Sequence, residues 1–154
     1  MEDFTTEQAQ KKVELLQSFG AISKTTTQLF EKDAERCGLN MPQLTVLNTL
    51  LQFSELTLDE LAAKRFTPKT TMSGIVQKLA ALGYIEREKS QEGRREVKYK
   101  LTPAGEDLSQ TAGEESSVYV AMTNVLAQIS EEDIQTLLRI HADVLKCLQV
   151  ELEK

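Results

Sequence analysis

Apolar residues recur at helical spacing over most of the chain, and one stretch pairs such a stripe with an unusual opposite face. Met72, Ile75, Val76 and Leu79 stand at i, i+3, i+4 and i+7, which at about 100° per residue gathers them on one side of a helix. The spacing predicts a helix opening at Thr67-Pro68, with Thr67 as N-cap and Pro68 at the first helical position, where its missing N–H costs nothing. The other face carries Thr70, Ser73, Gly74 and Gln77, flanked by Lys69, Thr71 and Lys78. These are small donors and acceptors beside cations, without a carboxylate, and such a face can approach a polyanion and hydrogen-bond to base edges and phosphates. The alternative for this helix alone is an ordinary solvated face.

The pattern on either side adds to this. Thr57-Leu58-Asp59-Glu60 has capping-box spacing, and Leu58, Leu61 and Ala62 give a short helix an apolar side up to about Phe66. Two short helices joined by a tight turn match the helix-turn-helix plan, in which the second helix reads the groove. Gly83 is placed to end that second helix in left-handed geometry. An extended segment follows from Tyr84 through Lys89, then a turn at Ser90-Gln91-Glu92-Gly93. Val97, Tyr99 and Leu101 alternate with Glu96, Lys98 and Lys100, the period of a half-buried strand. Helix-turn-helix plus hairpin is a winged helix.

Long helices flank this lobe. Leu15, Leu16, Phe19, Ile22, Leu29 and Phe30 keep a helical period to about Arg36, and Gly38 ends it. Asn40 caps the next helix, with Leu44, Val46, Leu47, Leu50 and Leu51 as packing candidates up to Phe53. Thr102-Pro103 starts another, expected to run through Val125 and Leu126 with a bend near Gly113; Ser130 caps the last, whose stripe is Ile134, Leu137, Leu138, Val144, Leu145 and Leu148. The expected fold is mainly α with a small β-wing. A winged helix-turn-helix lobe at about 40–101 sits in a single domain, 1–154, with dimerisation helices at about 6–36 and 103–152. The end helices carry more apolar surface than the lobe needs, which predicts a homodimer; packing within one subunit is the alternative.

Composition changes the picture in one respect. The net charge of −6 in 154 residues argues against a polyanionic partner until its distribution is considered. Residues 64–100 hold ten cations and four anions, a balance of +6, which leaves −12 elsewhere. A basic patch coincident with the helix-turn-helix and wing, in an acidic body, attracts DNA locally. No apolar run approaches the ~20 residues of a membrane span, and residues 1–10 carry no secretion signal, so a cytoplasmic location is expected.

Several segments together are specific. Leu39-Asn40-Met41-Pro42-Gln43-Leu44-Thr45-Val46-Leu47, Thr57-Leu58-Asp59-Glu60-Leu61-Ala62, the helix above, Leu79-Ala80-Ala81-Leu82-Gly83-Tyr84-Ile85-Glu86-Arg87, Gly93-Arg94-Arg95 and Leu101-Thr102-Pro103-Ala104-Gly105 resemble the MarR family of bacterial transcriptional regulators. The resemblance covers nearly the whole chain. One departure lies in the wing, where the family has Asp-x-Arg and this chain has Gly93, with Glu92 beside it. The resemblance implies a dimer built from the terminal helices and a pseudo-palindromic double-stranded operator. It further implies repression relieved by a small, often aromatic molecule held between the dimer helices and the lobe.

On the residues, Thr70, Ser73, Gly74 and Gln77 are expected at base edges or the adjacent backbone, Thr71 on the flank of the DNA-binding face, and Lys69, Lys78 and Lys89 at phosphates. Arg94 and Arg95 are expected in the minor groove. Catalysis finds no support: there is no phosphate loop, nucleophile motif or metal-ligand spacing, and His141 reads as a packing or surface residue. Cys37 and Cys147 read as packed or idle thiols, with Cys37 too late in the chain to match the reactive cysteine of peroxide-sensing relatives. No cofactor or metal is expected. The rival reading is a winged-helix protein-interaction module that touches DNA only nonspecifically.

Overall fold

The computed structural model describes residues 6–89 and 96–154, so the wing-tip residues Glu92, Gly93, Arg94 and Arg95 lie outside the described residues. The chain divides into two compact units, one ending at Ser117 and the other spanning Val118–Lys154.

In the first unit the order is α1 (Thr6–Arg36), α2 (Met41–Phe53), β1 (Glu55–Thr57), α3 (Leu58–Lys64), α4 (Lys69–Ala81), β2 (Ile85–Lys89), β3 (Val97–Leu101) and α5 (Pro103–Glu114). The core forms where α2, α3 and α4 meet the sheet. Leu44, Val46, Leu47 and Leu50 of α2, Leu61 of α3 and the α4 stripe of Met72, Val76 and Leu79 are buried there with Ile85 and Leu101, and Ile75 packs at its edge. The predicted stripe of α4 is therefore the core side. Leu51, expected to pack, is partly exposed in the last turn of α2.

Caps set most boundaries as expected. Asn40 and Gln43 form a reciprocal capping box at α2, and Thr57 and Glu60 form another at α3. Gly38 and Gly83 adopt left-handed φ angles of 69° and 81° after α1 and α4. The start of α4 differs from expectation. Pro68 is its N-cap, without a side-chain cap bond, and Thr67 lies one residue further out. The Thr67 hydroxyl donates instead to Arg65 O at 2.9 Å, and its amide donates to Ala62 O. Phe66, at φ 48°, turns the chain so that Thr67 closes α3 rather than opening α4.

The sheet has three antiparallel strands in the order β1-β3-β2, one more than the hairpin alone. Glu55, Leu56 and Thr57 face Lys100, Tyr99 and Lys98. On the other side of β3, Arg87 faces Tyr99, Glu86 faces Lys100 and Glu88 faces Lys98.

The expected single helix after the wing is broken. α5 stops at Glu114, and the next helix, α6 (Ser117–Leu126), begins after Glu115 and Ser116. Asp33, buried near the end of α1, takes hydrogen bonds from Ser116 Oγ at 2.8 Å and Ser117 N at 3.1 Å. Arg36, paired with Asp33, donates to Glu115 O at 2.8 Å. A buried carboxylate must be satisfied, and here it draws the backbone of residues 115–117 out of helical geometry. The break falls beyond Gly113 for that reason.

The second unit holds most of α6 and all of α7 (Glu131–Leu152). Ser130 caps α7 by accepting from Asp133 N, and three carboxylates occupy its first turn. No residue of α7 is buried. Leu137, Leu138, Ile140, Leu145, Leu148 and Val150 are exposed, as are Val13, Leu15, Leu16 and Ile22 of α1. No helix among the described residues is long and apolar enough to cross a membrane.

Candidate nucleic-acid interface

Because Met72, Val76 and Leu79 turn inward, Thr70, Gly74 and Gln77 are exposed, Ser73 is half-buried, and Lys69, Thr71 and Lys78 are exposed on the flanks. All seven expected residues on α4 thus lie outside the core on one short helix. Gly74 stands in the middle of that helix, and a Cβ added there meets nothing within 4 Å. Glycine in a helix interior costs about 0.5–1 kcal/mol relative to alanine. The fold gives no reason for it, and what glycine adds at this point is room for another molecule to come close.

Register sorts the wing cations into two sets. Successive side chains on a strand point to opposite faces. Glu55, Glu86, Glu88, Lys98 and Lys100 share one face, and there the charges cancel: Lys98 pairs with Glu55 at 2.7 Å, and Lys100 with Glu88 at 3.2 Å and Glu86 at 3.4 Å. The hydrogen bond that Lys98 donates to Glu55 pushes its ammonium pKa up, and the bond that Lys100 donates to Glu88 does the same there. The other face carries Ile85, Arg87, Lys89, Val97, Tyr99 and Leu101. Ile85 and Leu101 enter the core, while Arg87 and Lys89 are exposed and form no ion pair among the described residues.

This second face meets α4 across a cleft of about 340 Å³ lined by Ser73, Val76, Gln77, Ala80, Arg87 and Tyr99. A second cleft, of about 280 Å³, lies towards the start of α4 and is lined by Thr57, Leu58, Asp59, Lys69, Glu96, Val97 and Tyr99. There Lys69 pairs with Asp59 at 2.8 Å. The structure therefore brings together the expected residues of α4, with Ser73 and Gln77 lining the cleft; Lys89 stands two positions beyond Arg87 on the same strand face. Arg87 was counted in the basic window without a role. The alternation Ile85, Arg87, Lys89 was the signal that placed it on the core-facing side of the wing. Arg94 and Arg95 lie outside the described residues. No cluster of three or more potential metal ligands occurs among the described residues.

The lobe that carries these features matches known proteins. Residues 38–96 match the sequence model of the MarR family. An uncharacterized HTH-type transcriptional regulator of Bacillus subtilis strain 168, YhjH, is 29% identical over 87 residues, which are 56% of this chain and 50% of that protein. The chain spans about half the length of this curated relative. Among solved structures, a MarR family transcription regulator designated SP03579 superposes with a TM-score of 0.79 at 19% identity, covering 97% of each chain. Staphylococcus aureus MarR in complex with salicylate and kanamycin gives 0.76 at 24% identity, covering 92% of this chain and 95% of that one. At these identities the structural likeness speaks for the fold. Residues 38–96, which hold the helix-turn-helix, are thus similar to the MarR family, and the chain shares the winged helix-turn-helix fold of MarR-family structures.

Proposed function

We propose that this protein is a homodimeric, sequence-specific DNA-binding transcriptional regulator of the cytoplasm, acting as a repressor that a small molecule relieves. The observation that carries the reading is the exposed α4 face, with Gly74 at its centre open to approach and no carboxylate on it. Thr70, Thr71, Ser73, Gly74 and Gln77 meet base edges or the adjacent backbone in the major groove, with Gln77 suited to a bidentate contact with adenine. Lys69, Lys78 and Lys89 hold phosphates, and Arg94 and Arg95 enter the minor groove. No catalytic step belongs to this reading.

The exposed apolar stripes of α1 and α7 support the dimer. The salicylate in the S. aureus relative supports an aromatic acid as the class of effector. Such a ligand acts only through a difference in affinity between DNA-competent and incompetent forms.

Selection of bound duplexes from a random pool at fixed salt tests the proposal. Recovery of a palindrome with half-site centres about 10 base pairs apart is expected. A specific-to-nonspecific affinity ratio well under the ~10³ of a true regulator would favour the interaction-module reading instead.

A further inference from the structure

We propose that the cleft between α4 and the wing seats one backbone phosphate of the bound duplex, and that Arg87 is its cation. This inference rests on the DNA-binding reading and adds a residue and a contact to it.

The position follows from duplex geometry. If α4 lies in a major groove and the wing reaches the adjacent minor groove, the sugar-phosphate strand that separates the two grooves passes between them. The cleft of about 340 Å³ lies at that place, between Ser73, Gln77 and Ala80 of α4 and Arg87 and Tyr99 of the wing. Its polar lining is one guanidinium, a hydroxyl, a carboxamide and a phenol, with no carboxylate. Val76 and Ala80 give it an apolar floor, against which a charge-assisted hydrogen bond is less diluted by water.

The neighbouring cleft is the internal contrast. Two carboxylates, Asp59 and Glu96, share it with one ammonium, and Lys69 is already paired with Asp59. Lys98 and Lys100 are held on the opposite face of the sheet by three glutamates. Among the described residues, Arg87 is therefore the wing cation that lines this cleft without being neutralised by a neighbour; Lys89 shares its strand face but does not line the cleft. Its planar fork suits two phosphate oxygens, which a lysine ammonium cannot grip in the same way.

The test uses the full chain and the duplex it selects. Affinity of the wild type, R87Q, R87K and K69Q is measured from 50 to 200 mM salt, with thermal melting to show that each variant is folded. R87Q is expected to bind roughly tenfold or more weakly on every sequence and to lower the slope of log K against log salt by about 0.9, the signature of one lost phosphate contact. R87K keeps most of the slope, and K69Q, whose ammonium must first give up Asp59 to hold a phosphate, lowers it by less than R87Q. Duplexes carrying one neutral methylphosphonate at each position then locate the contact: a single position weakens the wild type and leaves R87Q unaffected. R87Q with the wild-type slope, or a methylphosphonate scan identical for both proteins, overturns the assignment while DNA binding stands. If R87Q does not fold, the same scan compares wild type with R87K, and an R87K that binds every substituted duplex in the wild-type ratio overturns it. A wild type that selects no duplex overturns this inference together with the reading beneath it.

Discussion

Two glycines show how differently one residue type can act. Gly105 sits in the first turn of α5, where a Cβ would come within 2.0 Å of Tyr84 O. Neither backbone is free to retreat: Thr102 N donates to Tyr84 O at 3.1 Å, Thr102 Oγ1 donates to Gly83 O at 2.6 Å, and Gly105 N donates back to Thr102 Oγ1 at 3.1 Å. The run Leu101-Thr102-Pro103-Ala104-Gly105 is thus a core residue, a cap, a first-turn proline and a close approach in sequence. G105A is expected to cost about 1–3 kcal/mol by overpacking, read as a lower urea midpoint with unchanged m. Gly74 has open space, so G74A should stabilise the fold by about 0.5–1 kcal/mol and still weaken DNA binding. A G74A protein both more stable and equally tight on DNA would remove Gly74 from the interface. At Cys37, burial pushes the thiol pKa up, and the nearby Arg36 opposes this less strongly. A raised pKa means a smaller thiolate fraction at a given pH, so the pH midpoint of Cys37 alkylation should lie above that of a free thiol. A midpoint below it would reopen a redox role.

At the scale of elements, the caps separate what sequence can decide from what it cannot. Thr57 and Thr102 each accept a backbone amide, from Glu60 N and Gly105 N, and replacement by alanine should cost about 1 kcal/mol at each. Thr67, identical as a Thr-Pro signal, caps nothing and should lose no more than about 0.5 kcal/mol on the same change. Equal losses at all three sites, measured by chemical denaturation, would contradict this boundary for α4. The misplacement arose because the left-handed turn at Phe66 is a tertiary choice, made by how α3 and α4 dock, that no local signal at Thr67 reports. The periodic stripes were legible because burial repeats along one helix: Met72, Val76 and Leu79 are in the core, as their spacing required. β1 was not legible, since three residues have too little alternation to read and acquire strand geometry only by pairing with β3, more than 40 residues away. The break after α5 was legible only as a bend near Gly113; that it falls at Glu115 and Ser116 depends on Asp33, 83 residues upstream of Ser116. The site divides in the same way. The α4 face could be read from the helical wheel, whereas the sorting of wing cations needed the register that sets Lys98 and Lys100 against glutamates and leaves Arg87 facing α4.

For the whole molecule the question is what covers the end helices. α7 is 22 residues long with no buried residue, and Leu138 and Leu145, seven positions apart, fall on the same side of it together with Leu137 and Leu148. α1 adds Leu15, Leu16 and Ile22. Burying one leucine side chain is worth about 1.5–3 kcal/mol, so a stripe of this length left in water forgoes more than the net stability of many domains. Its capping carboxylates and Ser130 make α7 a well-formed helix whose apolar side still lacks a partner within its own unit. A second copy, docked isologously, would cover such a stripe, and two α4 helices about 34 Å apart in a dimer would match half-sites one helical turn apart. Sedimentation equilibrium should then show a dimer at micromolar concentration, with a melting temperature that rises with protein concentration. L138D with L145D should shift the protein to monomer and abolish tight binding to the two-half-site duplex. Weak contact with a single half-site should persist, because the α4 face and wing belong to the other unit and their core of Leu47, Leu61, Met72 and Leu79 is untouched. A wild type that is monomeric at that concentration, with melting independent of concentration, would sink the dimer, and the palindrome expected from duplex selection would then have to be read by two chains that do not touch.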